Sequence, residues 1–400
     1  MGLFKNILKR ATTTTTSSDP YLAEFFNQRG DHQGYVDPDR SAGLAVAHAC
    51  ISVIATQLAS VPMSLHTRMD DGGREKASAH PLYSVLHDQF NPQMTAFEGR
   101  EYLTASLLTT GNAYARIETN GRGQAVALYP LDPTAVTVER LSSGRLRYKV
   151  NNRSGNQTIL LQEEMLHMRW RMARDGVMGL SPIQLTRETF NLALCQQDQT
   201  AKQARNAFRT EGALVFQQSI NSDKKSEAMT KLGERIRSQT ETSGILVLDG
   251  GMDWKTFSMS AKDAEFLESR KLTNLDICRV FGVPPTVAGI TDNATYSNVD
   301  GESRALVVRC LAPMARRIEQ AMNAALLSDL SRKTMFIEHD LAGLMRGDLK
   351  ARYEAYRIGR EGGWLSSNEI RAFENLSNID GGDGYLTPLN MAKLGEGDNG

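Results

Sequence analysis

The residues of this chain that could do chemistry are few and scattered. Cysteines stand at Cys50, Cys195, Cys278 and Cys310 with no C-x-x-C pair, which argues against both a zinc ribbon and a disulfide framework. His80 and His87 lie seven apart beside Pro81, and His167 ends an expected strand. With no third ligand at metal spacing, packing or hydrogen bonding is the expected role of these histidines, and no metal site is assigned. Asp37 and Asp39 flank Pro38, and Glu163 adjoins Glu164, but neither pair has a partner base or an expected pocket. Solvated carboxylates are the reading. The chain contains no G-x-x-x-x-G-K-[ST], no H-E-x-x-H and no G-x-S-x-G, so no P-loop motor, zincin or hydrolase can be argued from it. Gly395 to Gly400 formally fits G-x-G-x-x-G, but no strand precedes it, and a flexible tail is expected. No cofactor and no catalytic residue are expected, and an enzyme with an unrecognised site is the weakest reading.

Composition narrows the classes further. At roughly 100 to 200 residues per domain, 400 residues predict two to four structural units. Lys plus Arg is 46 and Asp plus Glu is 46, a formal charge of zero, which excludes a wholesale polycation built to grip nucleic acid. Any nucleic-acid contact must be local or deliberately weak. The N-terminal apolar residues Leu3, Phe4, Ile7 and Leu8 are interrupted by Lys5, Lys9 and Arg10, and Asn6 stands where N-myristoylation requires Ser or Thr. Export is not expected, and a reducing cytosol is the natural setting for the thiols. Ser41 through Thr67 carries no Asp, Glu, Lys or Arg. Its Ala, Ser and Thr content, its interruptions at His48, Gln57 and Pro62, and the stripe Leu44, His48, Ile51, Ala55 and Leu58 predict a buried packing helix rather than a membrane span.

The elements that must position these residues follow from periodicity and punctuation. Residues before Arg40 read as an arm, with a Thr and Ser run from Ala11 to Ser18. Two helices flank a short loop, the second announced by Asn91-Pro92 and the capping box Thr95 with Glu98, running to about Thr110. Short alternating runs at 113–118, 125–129, 135–140 and 146–150 predict one small antiparallel sheet, and another strand covers 165–170. Ser181, Pro182 and Gln184 start a helix that reaches about Thr210 and is polar on nearly every face of its second half, so it needs partners on more than one side. Residues 212–257 read strand, helix, strand. A second long helix spans 261–282 and stops at Val283-Pro284-Pro285; 286–298 is a polar loop. In the next helix Pro313 should bend the rod, and two more helical segments follow a strand at Phe336, the last capped by Ser366 and Glu369.

The order of elements and the local wording together resemble the portal proteins of tailed bacteriophages, of siphophage head-tail connector type. The matching residues are Ala49-Cys50-Ile51 through Val61-Pro62, His80-Pro81-Leu82, Asn91-Pro92, Gly111-Asn112-Ala113-Tyr114, Leu166-His167, Gly179-Leu180-Ser181-Pro182, Phe266 to Lys271, Phe281-Gly282-Val283-Pro284-Pro285, Tyr296-Ser297-Asn298, Leu311-Ala312-Pro313 and Asn368-Glu369-Ile370-Arg371. The resemblance covers about Ala42 to Pro388.

The resemblance implies an α+β, mainly helical fold with wing, stem, clip and crown. It also implies a ring of about twelve copies at one capsid vertex, a channel for double-stranded DNA packaging and ejection. By it, 1–40 is a flexible arm, 41–180 the wing, 181–211 the first stem helix and 212–260 the clip. Residues 261–283 are the second stem helix, 284–298 the tunnel loop, 299–347 the kinked wing helix and a strand, and 348–400 the crown with a disordered tail. Thr286, Thr291, Asp292, Asn293, Thr295, Tyr296 and Asn298 would face DNA from the tunnel loop. Lys202, Arg205, Arg209, Lys262 and Lys271 would line the bore or pair between subunits. Lys224, Lys225 and Glu227 would lie on the docking clip, and Pro284, Pro285 and Pro313 would stop or kink helices. Implied partners are DNA without sequence specificity, the terminase large subunit, the major capsid protein and scaffold, and a head-tail connector, with no membrane. The virion is the implied location, after assembly in the bacterial host cytoplasm. The alternative is another phage head or tail-connector scaffold that does not conduct DNA.

Overall fold

The computed structural model describes residues 14–16, 37–70, 72–152, 155–205, 212–216, 252–256, 260–291, 296–344, 349–374 and 376–386. The chain divides into two compact units: residues 1–185 with 278–400, and residues 186–277.

The first unit begins with β1 (Thr14–Thr16), α1 (Pro38–Ala42), α2 (Ala45–Ser60), β2 (Met63–Arg68), β3 (Arg74–Lys76), α3 (Pro81–His87), β4 (Gln89–Asn91), β5 (Met94–Thr95) and α4 (Ala96–Thr110). It continues with β6 (Asn112–Thr119), β7 (Ala125–Leu131), β8 (Val136–Arg140), β9 (Leu146–Asn151), β10 (Gln157–Leu161), β11 (Met165–Arg169), β12 (Arg171–Met172), β13 (Gly179–Leu180) and α5 (Pro182–Leu185). The second unit holds α6 (Arg187–Arg205), β14 (Gly212–Phe216), β15 (Met252–Thr256) and most of α7 (Ser260–Phe281). The chain then returns to the first unit with α8 (Tyr296–Leu306), a π-helical turn (Val307–Leu311), α9 (Ala312–Leu326), α10 (Ser331–Thr334), β16 (Met335–His339), α11 (Leu349–Glu361) and α12 (Ser367–Phe373).

The charge-free stretch is α2, whose Ala47, Cys50, Ile54, Leu58 and Ala59 are buried against α4. Among the described residues no helix is long and apolar enough to cross a membrane. The capping box of α4 is complete: Thr95 Oγ1 accepts from Glu98 N at 3.2 Å and Glu98 Oε2 accepts from Thr95 N at 2.8 Å. Such a cap contributes about 1 kcal/mol. α12 repeats it with Ser366 and Glu369.

The segment between α2 and α4 is not the short loop expected. It holds β2, β3, α3 and a small hairpin, because β2 pairs with β16 from the far end of the sequence, Leu65 opposite Ile337. Such a distant pairing leaves no local signal. The single sheet expected from the runs after Asn112 is two. β6 and β7 join β11, whereas β8 and β9 join β10, with Thr14–Thr16 added along β8. The split falls at Asp132-Pro133, where the Asp132 carboxylate accepts from Thr134 N at 2.8 Å and turns the chain out of the ladder. A piece of the arm is therefore a sheet strand, and Asp37 caps α1 by accepting from Asp39 N at 3.0 Å. Glu164 is likewise a cap, accepting from Leu161 N at 2.8 Å, and Glu163 pairs with Arg145 at 2.5 Å. All four carboxylates are exposed, as expected of solvated groups, and Asp37, Glu163 and Glu164 also serve a local cap or ion pair.

β16 is an edge strand, and α9 closes it with two side chains one helical turn apart. Glu319 Oε1 accepts from His339 N at 2.9 Å; Asn323 Oδ1 accepts from Ile337 N at 2.8 Å. A helical turn of about 5.4 Å nearly matches two strand residues, so one helix face can satisfy alternate strand amides. Burial would raise the Glu319 carboxyl, but the hydrogen bonds from His339 outweigh it and hold it below the usual carboxylate range.

Candidate functional site

Three of the sequence blocks that carried the resemblance meet at one junction in the first unit. α4 ends at Gly111, whose φ of 78° lets its N–H bond Leu107 O, and β6 starts immediately after it. Asn112 then reaches across to Gly179: its Oδ1 accepts from Gly179 N at 2.7 Å and its Nδ2 donates to Gly179 O at 2.9 Å. Both backbone groups can bond in only one sense, so the amide orientation is fixed. The same Oδ1 faces His167 Nε2 at 3.1 Å, so Nε2 carries the imidazole proton. His167 Nδ1 is therefore the acceptor for Tyr148 Oη at 3.3 Å. Burial, then Arg169, hold His167 well below its ordinary pKa, so the ring is neutral; burial pushes Tyr148 up to about 12. Tyr114 packs on His167 with ring centroids 4.5 Å apart. Ser181 finishes the junction, donating to Thr109 O at 2.6 Å while accepting from Ile183 N at 3.1 Å.

The backbones approach so closely that side chains are excluded. A Cβ on Gly179 would lie 2.0 Å from Gly111 O, and one on Gly111 would lie 2.5 Å from Leu180 C and Ser181 N. This junction is structural, and the hydrogen-bonding role expected of His167 is its place in the network. His80 caps α3, its Nδ1 accepting from Leu82 N at 3.1 Å. Among the described residues no group of three His, Cys, Asp or Glu could hold a metal ion.

The polar loop hangs between α7 and α8. α7 ends at Phe281 with a reciprocal pair of bonds, Val283 N to Cys278 O at 3.0 Å and Gly282 N to Arg279 O at 3.2 Å, with Gly282 at φ 70°. The left-handed glycine ends the helix, and Pro284 and Pro285 prevent its resumption. Residues 284–290 coil on themselves: Ala288 N bonds Pro284 O at 3.2 Å and Ile290 N bonds Pro285 O at 2.8 Å. Thr286 is half-buried, its hydroxyl bonded to Glu302 on α8, and Thr291 is exposed. Cys310 Sγ donates to Phe281 O at 3.4 Å, and Cys50 Sγ lies 4.0 Å from Cys278 Sγ. The start of the loop is thus tied to α8 and to the helical turn before Pro313.

Tyr296 and Asn298 belong to the first turn of α8, not to the loop. Ser, Asn and Thr serve loops and first helical turns alike, so composition could not place this boundary. Asp292, Asn293 and Thr295 lie outside the described residues. Pro313 coincides with a local change of helical winding. Lacking an N–H, it cannot bond Arg309 O, and the π turn just before it takes up the mismatch, Ala312 N bonding Val307 O.

In the second unit the helix expected as one piece from Ser181 is interrupted. α5 ends at Leu185, and α6 restarts beyond Thr186, whose carbonyl accepts from Thr189 N at 3.0 Å in a tightened first turn. Within the unit Gln196 Nε2 donates to Ser269 Oγ at 3.1 Å, and Thr273 Oγ1 bonds Ser269 O at 2.9 Å, a polar seam between α6 and α7. Gln196 and Thr273 are buried there, while Leu192, Leu267 and Leu272 are about half exposed at 49, 58 and 54%. Lys202, Arg205 and Lys262 stand on these helices, Lys271 is exposed on α7, and Arg209 falls outside the described residues. β14 and β15 form an antiparallel pair, Gly212 opposite Thr256. Lys224, Lys225 and Glu227, between them in sequence, also fall outside the described residues.

A sheet edge closed by a helix, a helix pair, a strand pair and a polar loop make up a mixed α+β fold. Comparison with known proteins gives the class its name. The sequence profile of the family described as phage portal protein matches residues 45–375. The chain belongs to that family, whose members are structural components of the virion that form the channel for DNA. It is 26% identical over 351 residues to the portal protein of Enterobacteria phage HK97, covering 87% of this chain and 82% of that one. Against the probable portal protein of Streptomyces phage phiC31 it is 27% identical over 377 residues, 90% of this chain and 81% of that one. In fold it is similar to a chain from the neck of an empty gene transfer agent particle computed with C6 symmetry, with a TM-score of 0.60 at 22% identity. That likeness covers 90% of this chain and all of the other. An HK97-family phage portal protein from Corynebacterium diphtheriae matches with a TM-score of 0.56 at 16% identity, over 77% of this chain and 96% of that one.

Proposed function

We propose that this chain forms a ring of about twelve copies whose α6 and α7 line the bore, with the loop from Pro284 to 295 touching the passing duplex. The observation that carries this reading is the helix pair itself. Its inner seam is polar and internally satisfied, yet three leucines lie half exposed on it. A helix pair with spent polar contacts and uncovered leucines is stable when neighbouring copies cover its flanks. Net neutrality suits a conduit, since twelvefold repetition of a strongly basic lining would hold DNA rather than pass it. Lys202, Arg205, Lys262 and Lys271 are then sparse contacts to phosphate or to the neighbouring copy. The segment between β14 and β15, with Lys224, Lys225 and Glu227, is the docking clip for the terminase large subunit and later the head-tail connector. The wing meets capsid protein and scaffold as the particle assembles in the host cytoplasm.

The test removes residues 291–295, leaving the Thr286–Glu302 clamp and α8 in place. Rings of unchanged native mass that package or retain less DNA are the expected result. Loss of the ring would make the loop an assembly element, and normal packaging would remove the loop from the DNA path.

A further inference from the structure

In a chain whose charges balance, one sheet face does not. β3, β2 and β16 are neighbours, and the register sets Arg68 opposite Arg74 and His66 opposite Lys76. Like charges directly opposite on adjacent strands destabilise a sheet, and Arg68 with Arg74 is such a pair, with Lys76 on the same face. Glu338 forms an ion pair with Arg74, and both Glu338 and Asp340 act electrostatically on His66. Phe336 lies on the same face: His66 stacks on it at 5.5 Å, and the Arg68 guanidinium sits 4.6 Å over its ring. The Nδ1 of His66 is buried and has no hydrogen-bond partner. Burial, then Arg74, hold this imidazole below its ordinary pKa.

Beside this face lies a groove of about 260 Å³ rimmed by Arg68, Arg316 and Arg332 and floored by Phe336, Met335 and Ala324. Arg332 is paired with Asp329. Arg316 is 71% exposed and reaches Glu319, already engaged by His339, only at 3.4 Å. We propose that this face and groove dock an acidic polypeptide segment that carries an apolar side chain between its carboxylates. Carboxylates meet the arginine rim in the bidentate geometry guanidinium favours, and the apolar side chain enters the floor. The apolar floor favours a peptide over a DNA backbone, which offers phosphate and sugar but nothing to fill a hydrophobic recess. The inference is independent of the bore and loop assignments above.

The experiment is fluorescence anisotropy on the full chain in its assembled state. The probe is a labelled peptide of about twelve Glu and Asp residues with a central Leu, set against the same peptide with Ser for Leu and a DNA duplex of about 24 base pairs. Expected is binding of the Leu peptide, weakened about threefold by the Ser change and about tenfold or more by R68Q/R316Q. Arg316→Gln alone, at an exposed side chain, repeats the test without risk to the sheet. Absence of peptide binding, or binding indifferent to both variants, overturns the proposal. Tighter, arginine-dependent binding of the duplex overturns it in favour of nucleic acid. Loss of ring mass in R316Q overturns it in favour of a neighbouring copy as the occupant.

Discussion

The junction around Asn112 and the helix pair of the second unit solve opposite problems with similar polar residues. At the junction Asn112, His167 and Gly179 satisfy one another and Ser181 bonds Thr109 O, and there is no room for a methyl group. On the helix pair Gln196 and Ser269 satisfy each other, but Leu192, Leu267 and Leu272 remain half exposed. The contrast teaches that several blocks carrying the family resemblance hold the subunit itself together, whereas the helix pair leaves apolar side chains uncovered.

The largest effect that could break this contrast is at Gly179. Gly179→Ala drives a methyl into Gly111 O and should cost about 3 kcal/mol or more, or abolish soluble folding. A urea midpoint within a few tenths molar of wild type would show that the backbones are not locked together. Asn112→Ala comes next: it strands the Gly179 N–H and C=O and the His167 proton, and about 2–4 kcal/mol should disappear from the unfolding free energy. The helix pair should behave in the reverse manner. L267S/L272S should abolish rings in native mass spectra while changing the subunit's own unfolding free energy by well under about 1 kcal/mol; a ring that survives would mean these leucines face no neighbour.

Smaller, and confined to the junction, is a pH effect. His167 is neutral in the fold with its pKa depressed, so above about pH 6.5 it adds no pH dependence. Below that value the unfolded chain takes a proton that the fold refuses, and stability falls by up to about 1.4 kcal/mol per pH unit toward the folded pKa. His167→Gln should flatten this slope between about pH 6.5 and 5 in paired melts, and an unchanged difference between the two proteins across that window would refute it. The smallest effect is expected at Pro313. Pro313→Ala restores an N–H for Arg309 O, so the π turn should relax to α-helix at a cost or gain below about 1 kcal/mol. Persistence of the π turn in a structure of the variant would assign it to tertiary packing.

Much of the framework was legible because its causes are local. Thr95 with Glu98, Ser366 with Glu369, Gly282 before Pro284-Pro285, and the alternating runs after Asn112 announce their elements within a few residues. The candidate site was less so. α8 begins at Tyr296, inside the stretch expected as loop to Asn298, since helix N-termini and loops draw on the same residues, and the helix expected from Ser181 breaks at Thr186 without Gly or Pro to mark it. No signal named the partners of Asn112 and His167 in advance, although Gly111-Asn112 and Gly179-Leu180-Ser181 were conspicuous as words.

By itself the sequence determined the charge balance, the absence of nucleotide and metal motifs, the helix caps and the blocks that mark a portal subunit. All of these are properties of neighbours along the chain. Only the tertiary structure decided that β2 belongs with β16, that Thr14–Thr16 extends the sheet of β8, and that Asn112 holds Gly179. Those contacts join residues far apart in sequence, where geometry and desolvation, not local propensity, choose the partner.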